Sequence, residues 1–192
     1  LELNDIILEI DNKSMTNRPD LWGHYGIARE LAALYHLPMK EFPRFDRNVA
    51  NTAGFHVTVE DAERCPRMTG TQIENVCVKP APYWMQVRIW KTGMRPINAL
   101  VDITNYVMLA TGQPSHAYDS DHIAGHIIVR RAKAGETLTL LNGKELPLST
   151  DDLTIADDAG IVGLAGVMGG AKDSILPTTS RGILEIANFQ AA

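Results

Sequence analysis

The first part of the chain combines a short apolar segment with an amphipathic one. Residues 6–10 are mostly apolar and predict a short strand. The turn at residues 16–20 ends on Asp20, whose side chain can cap the helix that we expect from about residue 21 to residue 35. Apolar residues recur at helical spacing and predict one buried face: Tyr25, Ile27, Ala28, Leu31, Ala32 and Leu34.

The pattern changes near residue 55. Residues 36–54 contain prolines, charges and an Asn-Thr-Ala-Gly segment, and they predict a linker. Polar and apolar residues then alternate over residues 55–59 and residues 71–76, as they do in strands with one buried face. We therefore expect a second domain to begin near residue 55.

Helices and further strands are predicted in this second part. One helix covers residues 82–90, with proline near its start and Gly93 past its end, and another covers residues 98–111 and is closed by Gly112. The other predicted elements are strands at residues 127–131, 137–141 and 153–155 and a hairpin turn at residues 142–143. Helices grouped between strands predict an α+β fold.

Composition is that of an ordinary soluble globular protein. The 192 residues are 45% hydrophobic and 21% charged, and they fit one large domain or a domain with an appendage. No apolar run is long enough to cross a bilayer, so a membrane span is excluded. The chain begins with Leu1 and carries no leader pattern, as expected of a piece cut from a longer protein.

Charge and cysteine content narrow the classes of function. The formal net charge is -5 at pH 7, so the surface lacks a general basic field, and any nucleic-acid contact must be local. Cys65 and Cys77 cannot supply a disulfide framework or a four-ligand metal site. A reduced compartment, the cytoplasm, is the expected location.

Polar residues in the helix at residues 98–111 are candidates for a site. Asp102 and Asn105 lie three apart and therefore on one helix face, beside an apolar run that should be core. Either they contribute to a site, or they brace the turn that leads to Gly112.

His116 follows a Gly-Gln-Pro turn. A rigid loop there could present the imidazole to a cleft, where histidine exchanges protons near neutral pH. A structural histidine is the alternative. A metal site with Asp119 is not expected, because no third ligand lies at suitable spacing and His122 and His126 fall in an irregular stretch.

A glycine-rich segment and a lone carboxylate complete the candidates. Residues 165–170 have neither the P-loop pattern nor the dinucleotide-binding pattern, and their glycines permit either close approach of a ligand or tight turns. Glu185 stands in an apolar segment at residues 183–189. In a strand it faces opposite to Leu184 and Ile186, which leaves it either exposed or an acceptor inside a cleft.

Six segments occur in an order typical of one family. They are residues 17–20 (Asn-Arg-Pro-Asp), 26–30 (Gly-Ile-Ala-Arg-Glu), 101–107 (Val-Asp-Ile-Thr-Asn-Tyr-Val), 112–114 (Gly-Gln-Pro), 116–117 (His-Ala) and 165–170 (Ala-Gly-Val-Met-Gly-Gly). Together they resemble the beta subunit of bacterial phenylalanyl-tRNA synthetase. The resemblance spans nearly the whole chain, and several long matches in register are more specific than any single glycine pattern.

The resemblance implies an architecture and partners. Residues 1–45 would end the first structural domain after an inserted OB-fold, residues 46–54 would be a linker, and residues 55–192 would be a B3/B4 tRNA editing domain truncated at its C-terminal end. The family works as an alpha2beta2 heterotetramer with an alpha subunit and tRNA(Phe). ATP and Mg²⁺ serve the charging site of the alpha subunit, so this chain is expected to need no cofactor and to charge no tRNA alone.

The activity implied is hydrolytic editing of Tyr-tRNA(Phe). The positions that match the family's pocket are Arg95, Asn105, His116, Gly166, Gly169 and Glu185. His116 and Asn105 would orient the ester and the water, and Glu185 would accept the hydroxyl of tyrosine. The two glycines would contact the aminoacyl group through their backbone, and Arg95 would hold the tRNA end. Whether His116 is a general base or only an orienting group stays open, and a vicinal ribose hydroxyl could assist the water instead.

Some residues depart from the family pattern. Ala110 and Thr111 replace the usual Glu-Leu, Tyr118 replaces the usual Phe, and Asn188 stands where an aromatic is common.

Two other functions are compatible with the resemblance. The chain could be a non-catalytic scaffold that binds tRNA or the alpha subunit, or a free-standing aminoacyl-tRNA hydrolase of the same domain family.

Overall fold

Two compact units make up the chain. A computed structural model describes residues 4–42, 55–172 and 174–190. Unit 1 comprises Leu1–Asn51 and Lys79–Ser115, and unit 2 comprises Thr52–Val78 and His116–Ala192. Compact units and family domains are different divisions of a chain, so the domain boundaries at 1–45, 46–54 and 55–192 stay a prediction. The expected linker lies largely outside the described residues, from residue 43 to residue 54.

Unit 1 is helical. Its elements are 3-10 helices at Lys13–Met15 and Pro19–Trp22 and the α-helices α1 (His24–Tyr35), α2 (Tyr83–Lys91) and α3 (Ala99–Thr111). The two later helices confirm the predictions for residues 82–90 and 98–111. No helix in the described part of the chain is both long and apolar enough to span a membrane.

Helix α3 is delimited by signals in its own sequence. The Asn98 side chain accepts hydrogen bonds from the backbone N–H groups of Leu100 and Val101, both at 3.1 Å, which satisfies donors that have no partner inside the helix. Gly112 ends the helix with φ +81°, a left-handed conformation that a residue without Cβ adopts without strain.

The start of α1 corrects the sequence prediction. Asp20 does not cap this helix. Its carboxylate accepts hydrogen bonds from Arg18 Nε at 2.9 Å and Arg29 Nη2 at 2.6 Å. Residues 19–22 form a 3-10 turn instead, and the α-helix begins at His24 with Gly23 as its N-cap residue. Two nearby guanidinium groups hold the carboxylate more strongly than a pair of backbone N–H groups would.

The buried face predicted for α1 and the strand predicted for residues 6–10 are also wrong. Residues 6–10 have no regular structure, and Ile6 and Leu8 are exposed. Along α1 only Gly26 is buried, while Leu31 and Leu34 are exposed. Periodicity identifies which face of an element is apolar, but burial also requires a partner to cover that face. The described residues of unit 1 cover it only in part, since Tyr25 and Ile27 are half-buried.

Unit 2 holds ten strands among the described residues: β1 (Val57–Val59), β2 (Arg67–Ile73), β3 (His116–Asp119), β4 (Ile127–Arg131), β5 (Thr137–Thr139), β6 (Glu145–Pro147), β7 (Leu153–Asp157), β8 (Gly160–Leu164), β9 (Met168–Gly169) and β10 (Gly182–Asn188). They form a five-stranded sheet in the order β1-β4-β7-β8-β9, a three-stranded sheet in the order β2-β10-β3, and the hairpin β5-β6. The α+β prediction is confirmed.

One strand and one hairpin turn predicted from short sequence signals are confirmed. Residues 127–131 coincide with β4, and the turn at Asn142 and Gly143 joins β5 to β6. The strand predicted at residues 71–76 begins earlier, at Arg67, and ends at Ile73. Strand β3 was not predicted.

The core of unit 2 consists of buried side chains from both larger sheets. Its buried members are Cys65, Met68, Tyr118, Ile127, Val129, Ile155, Val162 and Ile183. Tyr118 from β3 and Ile183 from β10 therefore project into the core, which fixes the inward face of the three-stranded sheet.

The N-cap of α3 yields a stability prediction. Asn98→Ala should lower the free energy of unfolding of this chain by about 1 kcal/mol, because two helix N–H groups lose their acceptor. Asn98→Ser, which keeps a capping oxygen, should recover most of that loss in urea denaturation. An equal loss in both variants would show that the amide acts through something other than the cap.

Candidate active site

Strands β3 and β10 bring two of the predicted residues together. Glu185 is the register partner of His116 in this antiparallel pair, and Tyr118 is the partner of Ile183. Directly opposed side chains lie on the same face of a sheet and close to one another. His116, Tyr118 and Glu185 therefore share the face that carries Ile183 into the core.

Glu185 is a buried acceptor. Only 7% of it is exposed, and its Oε2 accepts a hydrogen bond from the hydroxyl of Tyr118, which is 2% exposed. The strand does point Glu185 opposite to Leu184 and Ile186, as expected, but the Glu185 side is the inner one. Of the two alternatives for this carboxylate, burial is correct, and the chain itself supplies one donor.

Burial shifts the protonation of both ionisable partners. Loss of water raises the pKa of Glu185, and the hydrogen bond from Tyr118 lowers it part of the way back. Burial lowers the pKa of His116, so the imidazole is neutral at neutral pH. A neutral imidazole has one nitrogen free to accept a proton or a hydrogen bond.

The glycine-rich segment lies directly against the imidazole. A Cβ added to Gly169 on β9 would stand 2.6 Å from both Cε1 and Nε2 of His116, so no larger residue fits there without movement. On β8, a Cβ added to Gly163 would lie 3.8 Å from the Tyr118 hydroxyl oxygen. Close backbone approach therefore explains Gly169 better than a turn does.

Gly166 has a different position. Its φ is +69°, and a Cβ added there would lie 3.4 Å from the ring of Phe189. It belongs to the turn between β8 and β9 and supports a tight turn. It is not shown to contact His116.

We call His116, Tyr118, Glu185, Gly163 and Gly169 the candidate site. The rings of His116 and Tyr118 meet edge to face, with centroids 4.4 Å apart and planes at 75°. Tyr118 and Gly163 were missed as site residues. The signal for Tyr118 was available, because a residue two positions after His116 shares its face once residues 116–119 are recognised as a strand.

Arg95 and Asn105 belong to unit 1. Arg95 is exposed in the loop between α2 and α3, and Asn105 is half-buried on α3. Their relation to the candidate site stays a prediction.

Asp102 is 1% exposed, and its Oδ1 accepts a hydrogen bond from the Ile97 N–H at 2.8 Å. Asp102 therefore braces the chain before α3 and not the turn at Gly112.

The Asp119 carboxylate has hydrogen-bond donors of its own. Asp119 accepts hydrogen bonds from Thr179 Oγ1 and from the Asp121 N–H. Within the described ranges, no group of three or more His, Cys, Asp or Glu side chains is placed to hold a metal ion.

Comparison with known proteins identifies relatives. The model of the B3/4 domain family matches residues 64–192. The chain is 48% identical over 189 residues to the phenylalanine–tRNA ligase beta subunit of Solibacter usitatus, with 98% of this chain and 25% of that protein covered. The beta subunits of Fusobacterium nucleatum and Anaeromyxobacter dehalogenans are each 42% identical over 193 residues, with 98% of this chain and 24% of those proteins covered.

A solved structure shares the fold. The crystal structure of an N-terminal fragment of the phenylalanyl-tRNA synthetase beta-subunit from Pyrococcus horikoshii superposes with a TM-score of 0.55 at 16% identity, and covers 91% of this chain and 54% of that chain. The chain spans about a quarter of the length of the curated relatives, at 24–25%. On the family match and on similarity along nearly its whole length, the chain belongs to the B3/4 domain family as it occurs in phenylalanine–tRNA ligase beta subunits.

Proposed function

We propose that this chain carries the hydrolytic editing site of a phenylalanine–tRNA ligase beta subunit and removes tyrosine from Tyr-tRNA(Phe). One observation carries the proposal. A buried carboxylate, Glu185, lies opposite a half-buried imidazole, His116, with the backbone of Gly169 against that imidazole. The other features support it.

The selectivity that editing requires fits a buried carboxylate. An apolar pocket for phenylalanine cannot strongly reject tyrosine, which only adds a hydroxyl, so charging errors with tyrosine are expected. A second site must prefer the hydroxyl. An ionised carboxylate has about four lone-pair sites. Glu185 therefore keeps capacity for a phenolic donor besides Tyr118.

The hydrolytic step needs no covalent intermediate. Water attacks the ester carbonyl carbon, the bond from that carbon to the ribose oxygen breaks, and the ribose oxygen takes up a proton. The products are tyrosine and uncharged tRNA. His116 is neutral because burial lowers its pKa, so it can accept a proton or a hydrogen bond from the attacking water.

The other residues predicted for the site also have roles in the proposal. The Gly169 backbone lies against the imidazole, and in the proposal it contacts the aminoacyl group. In the proposal Gly166 also contacts that group, Asn105 orients the ester, and Arg95 holds the tRNA end. Each of these four roles is a separate proposal.

The proposal includes the setting of the site. The whole protein would be an alpha2beta2 heterotetramer that binds tRNA(Phe) in the cytoplasm. ATP, Mg²⁺ and phenylalanine would be used at the charging site of the alpha subunit. The chain alone would bind no cofactor and form no Phe-tRNA.

A purely structural role is the alternative that the test must separate. The bond between Tyr118 and Glu185 also suits a buried pair that only stabilises a scaffold for tRNA or the alpha subunit. If Glu185 selects tyrosine, a change at its carboxylate alters the preference for Tyr-tRNA(Phe) over Phe-tRNA(Phe). If Glu185 only stabilises a scaffold, that preference does not change.

Glu185→Gln tests the carboxylate. The amide keeps the shape and an acceptor for Tyr118 but loses the charge, so Tyr-tRNA(Phe) hydrolysis by the full-length synthetase should slow by about tenfold. Phe-tRNA(Phe) hydrolysis should change less, and the Tyr-to-Phe ratio of rates should fall. Single-turnover deacylation of both charged tRNAs measures this ratio.

The matched control for that variant is Glu145→Gln, at an exposed position of β6. It should leave both rates unchanged. If Glu185→Gln leaves the Tyr-to-Phe ratio at its wild-type value, the carboxylate does not select tyrosine, and the scaffold reading replaces the proposal.

His116→Ala tests the chemical step. Loss of a general base slows Tyr-tRNA(Phe) hydrolysis by about a hundredfold or more, whereas loss of an orienting group slows it by about tenfold. Phenylalanine charging should stay nearly unchanged in either case. His122→Ala, at an exposed position in unit 2, is the control. Equal losses in charging and in deacylation would instead make His116 a structural residue.

A further inference from the structure

Tyr118 has no part in the hydrolytic step proposed above, yet it is the most buried polar group of the candidate site. It is 2% exposed, and its hydroxyl donates a hydrogen bond to Glu185 Oε2. A buried phenol and a buried carboxylate together require a physical explanation, because each is costly to remove from water without a partner.

The position of the Tyr118 hydroxyl is fixed by packing. The residue lies inside β3, in register with Ile183 of β10. Its ring packs in the core cluster with Val162 and Ile183, and its edge-to-face contact with His116 restrains it further. Gly163 lies beside the hydroxyl. Side chains enclosed in this way stay in one rotamer, so the hydroxyl is a fixed donor.

We propose that Tyr118 is a specificity-determining positioning residue, whose hydroxyl holds Glu185 in place as the acceptor for a second phenol, that of a tyrosine esterified to tRNA. The inference rests on the function proposed above. One oxygen of the carboxylate is anchored by the Tyr118 donor, and the remaining lone pairs accept the hydroxyl of the substrate. Tyr118 thus acts through Glu185 and touches no reacting atom.

Anchoring also controls how much of Glu185 is ionised. Among the described residues, three titratable side chains face it. Tyr118 lowers the pKa of Glu185 through its hydrogen bond, His116 is neutral, and the thiol of Cys65 is buried. Burial alone raises the pKa of Glu185. Without the Tyr118 hydroxyl the burial remains and the stabilising donor is lost, so the pKa rises further.

Ionisation of Glu185 makes the selection of tyrosine depend on pH. Tyrosine selection requires the ionised carboxylate, whose fraction grows as pH rises through the pKa of Glu185. A higher pKa therefore moves the acid limb of selectivity to higher pH. Protonation of His116 affects Tyr-tRNA and Phe-tRNA alike and cancels in the ratio of their rates. The pH dependence of that ratio consequently reports on Glu185.

The test uses Tyr118→Phe in the full-length synthetase. The Tyr-to-Phe ratio of deacylation rates should fall by about threefold to tenfold near neutral pH, because one net hydrogen bond to the carboxylate is lost. The ratio should recover as pH rises, with its acid limb displaced to higher pH than in the wild type. Tyr83→Phe, at an exposed position of α2, is the matched control and should leave the limb in place.

A second variant guards against misfolding of the first. Fluorotyrosine at position 118 keeps the ring and strengthens the phenol as a donor, so the acid limb should move to lower pH, opposite to Tyr118→Phe. Phenylalanine charging by the same preparations reports that each synthetase is assembled, and the circular dichroism spectrum of the isolated variant chain reports that its fold is unchanged. An acid limb that moves in neither variant overturns the inference, even if the ratio falls at every pH.

Glu185→Gln, measured in parallel, separates this inference from the function on which it rests. If Glu185→Gln keeps the wild-type ratio, the proposed selection of tyrosine fails and this inference fails with it. If Glu185→Gln lowers the ratio and abolishes its acid limb while Tyr118→Phe behaves as the wild type, only the positioning role is overturned.

Discussion

The burial of the Glu185 carboxylate is the constraint on which the rest of unit 2 depends. An ionised carboxylate inside an apolar core is costly unless donors replace its lost water. Here the raised pKa records that cost, and the Tyr118 hydrogen bond offsets part of it. The compensation works only in one register of β3 against β10, since a slip by one residue would turn Tyr118 away from the core.

The inward-facing side chains of β3 also explain why glycines stand at two positions on the neighbouring strands. Aromatic side chains of β3 occupy the inner face, so the strands that pass over them must approach with bare backbone, as Gly169 does at His116 and Gly163 at Tyr118. A neutral imidazole, a carboxylate and glycine backbone are brought together as a result. These groups have the chemistry that the proposed water attack on an ester with a phenolic acyl group would use.

Elements with local signals could be predicted from the sequence. Asn98 and Gly112 delimit α3 through contacts within a few residues, and β4 followed from a short apolar run. Burial could not be predicted in this way. Part of the apolar face of α1 and residues 6–10 remain exposed because burial depends on what covers a surface, which periodicity does not encode.

Some residues of the candidate site could likewise be identified from the sequence, whereas others depend on contacts that only the tertiary structure shows. His116 and Glu185 were identified from the family pattern, and the structure brings them together by strand register. Tyr118 was noted only as a departure from that pattern, because its partnership with Glu185 spans 67 residues of sequence. Gly169 could not be assigned before its contact with the imidazole was known, and Arg95 and Asn105 lie in the other unit.

The most direct test of the central claim is the rate at which the wild-type full-length synthetase deacylates Tyr-tRNA(Phe) and Phe-tRNA(Phe) under identical conditions, each compared with spontaneous hydrolysis. The account predicts that Tyr-tRNA(Phe) is cleared far faster than it decays unaided and faster than Phe-tRNA(Phe). Decay of both charged tRNAs at their spontaneous rates would contradict it.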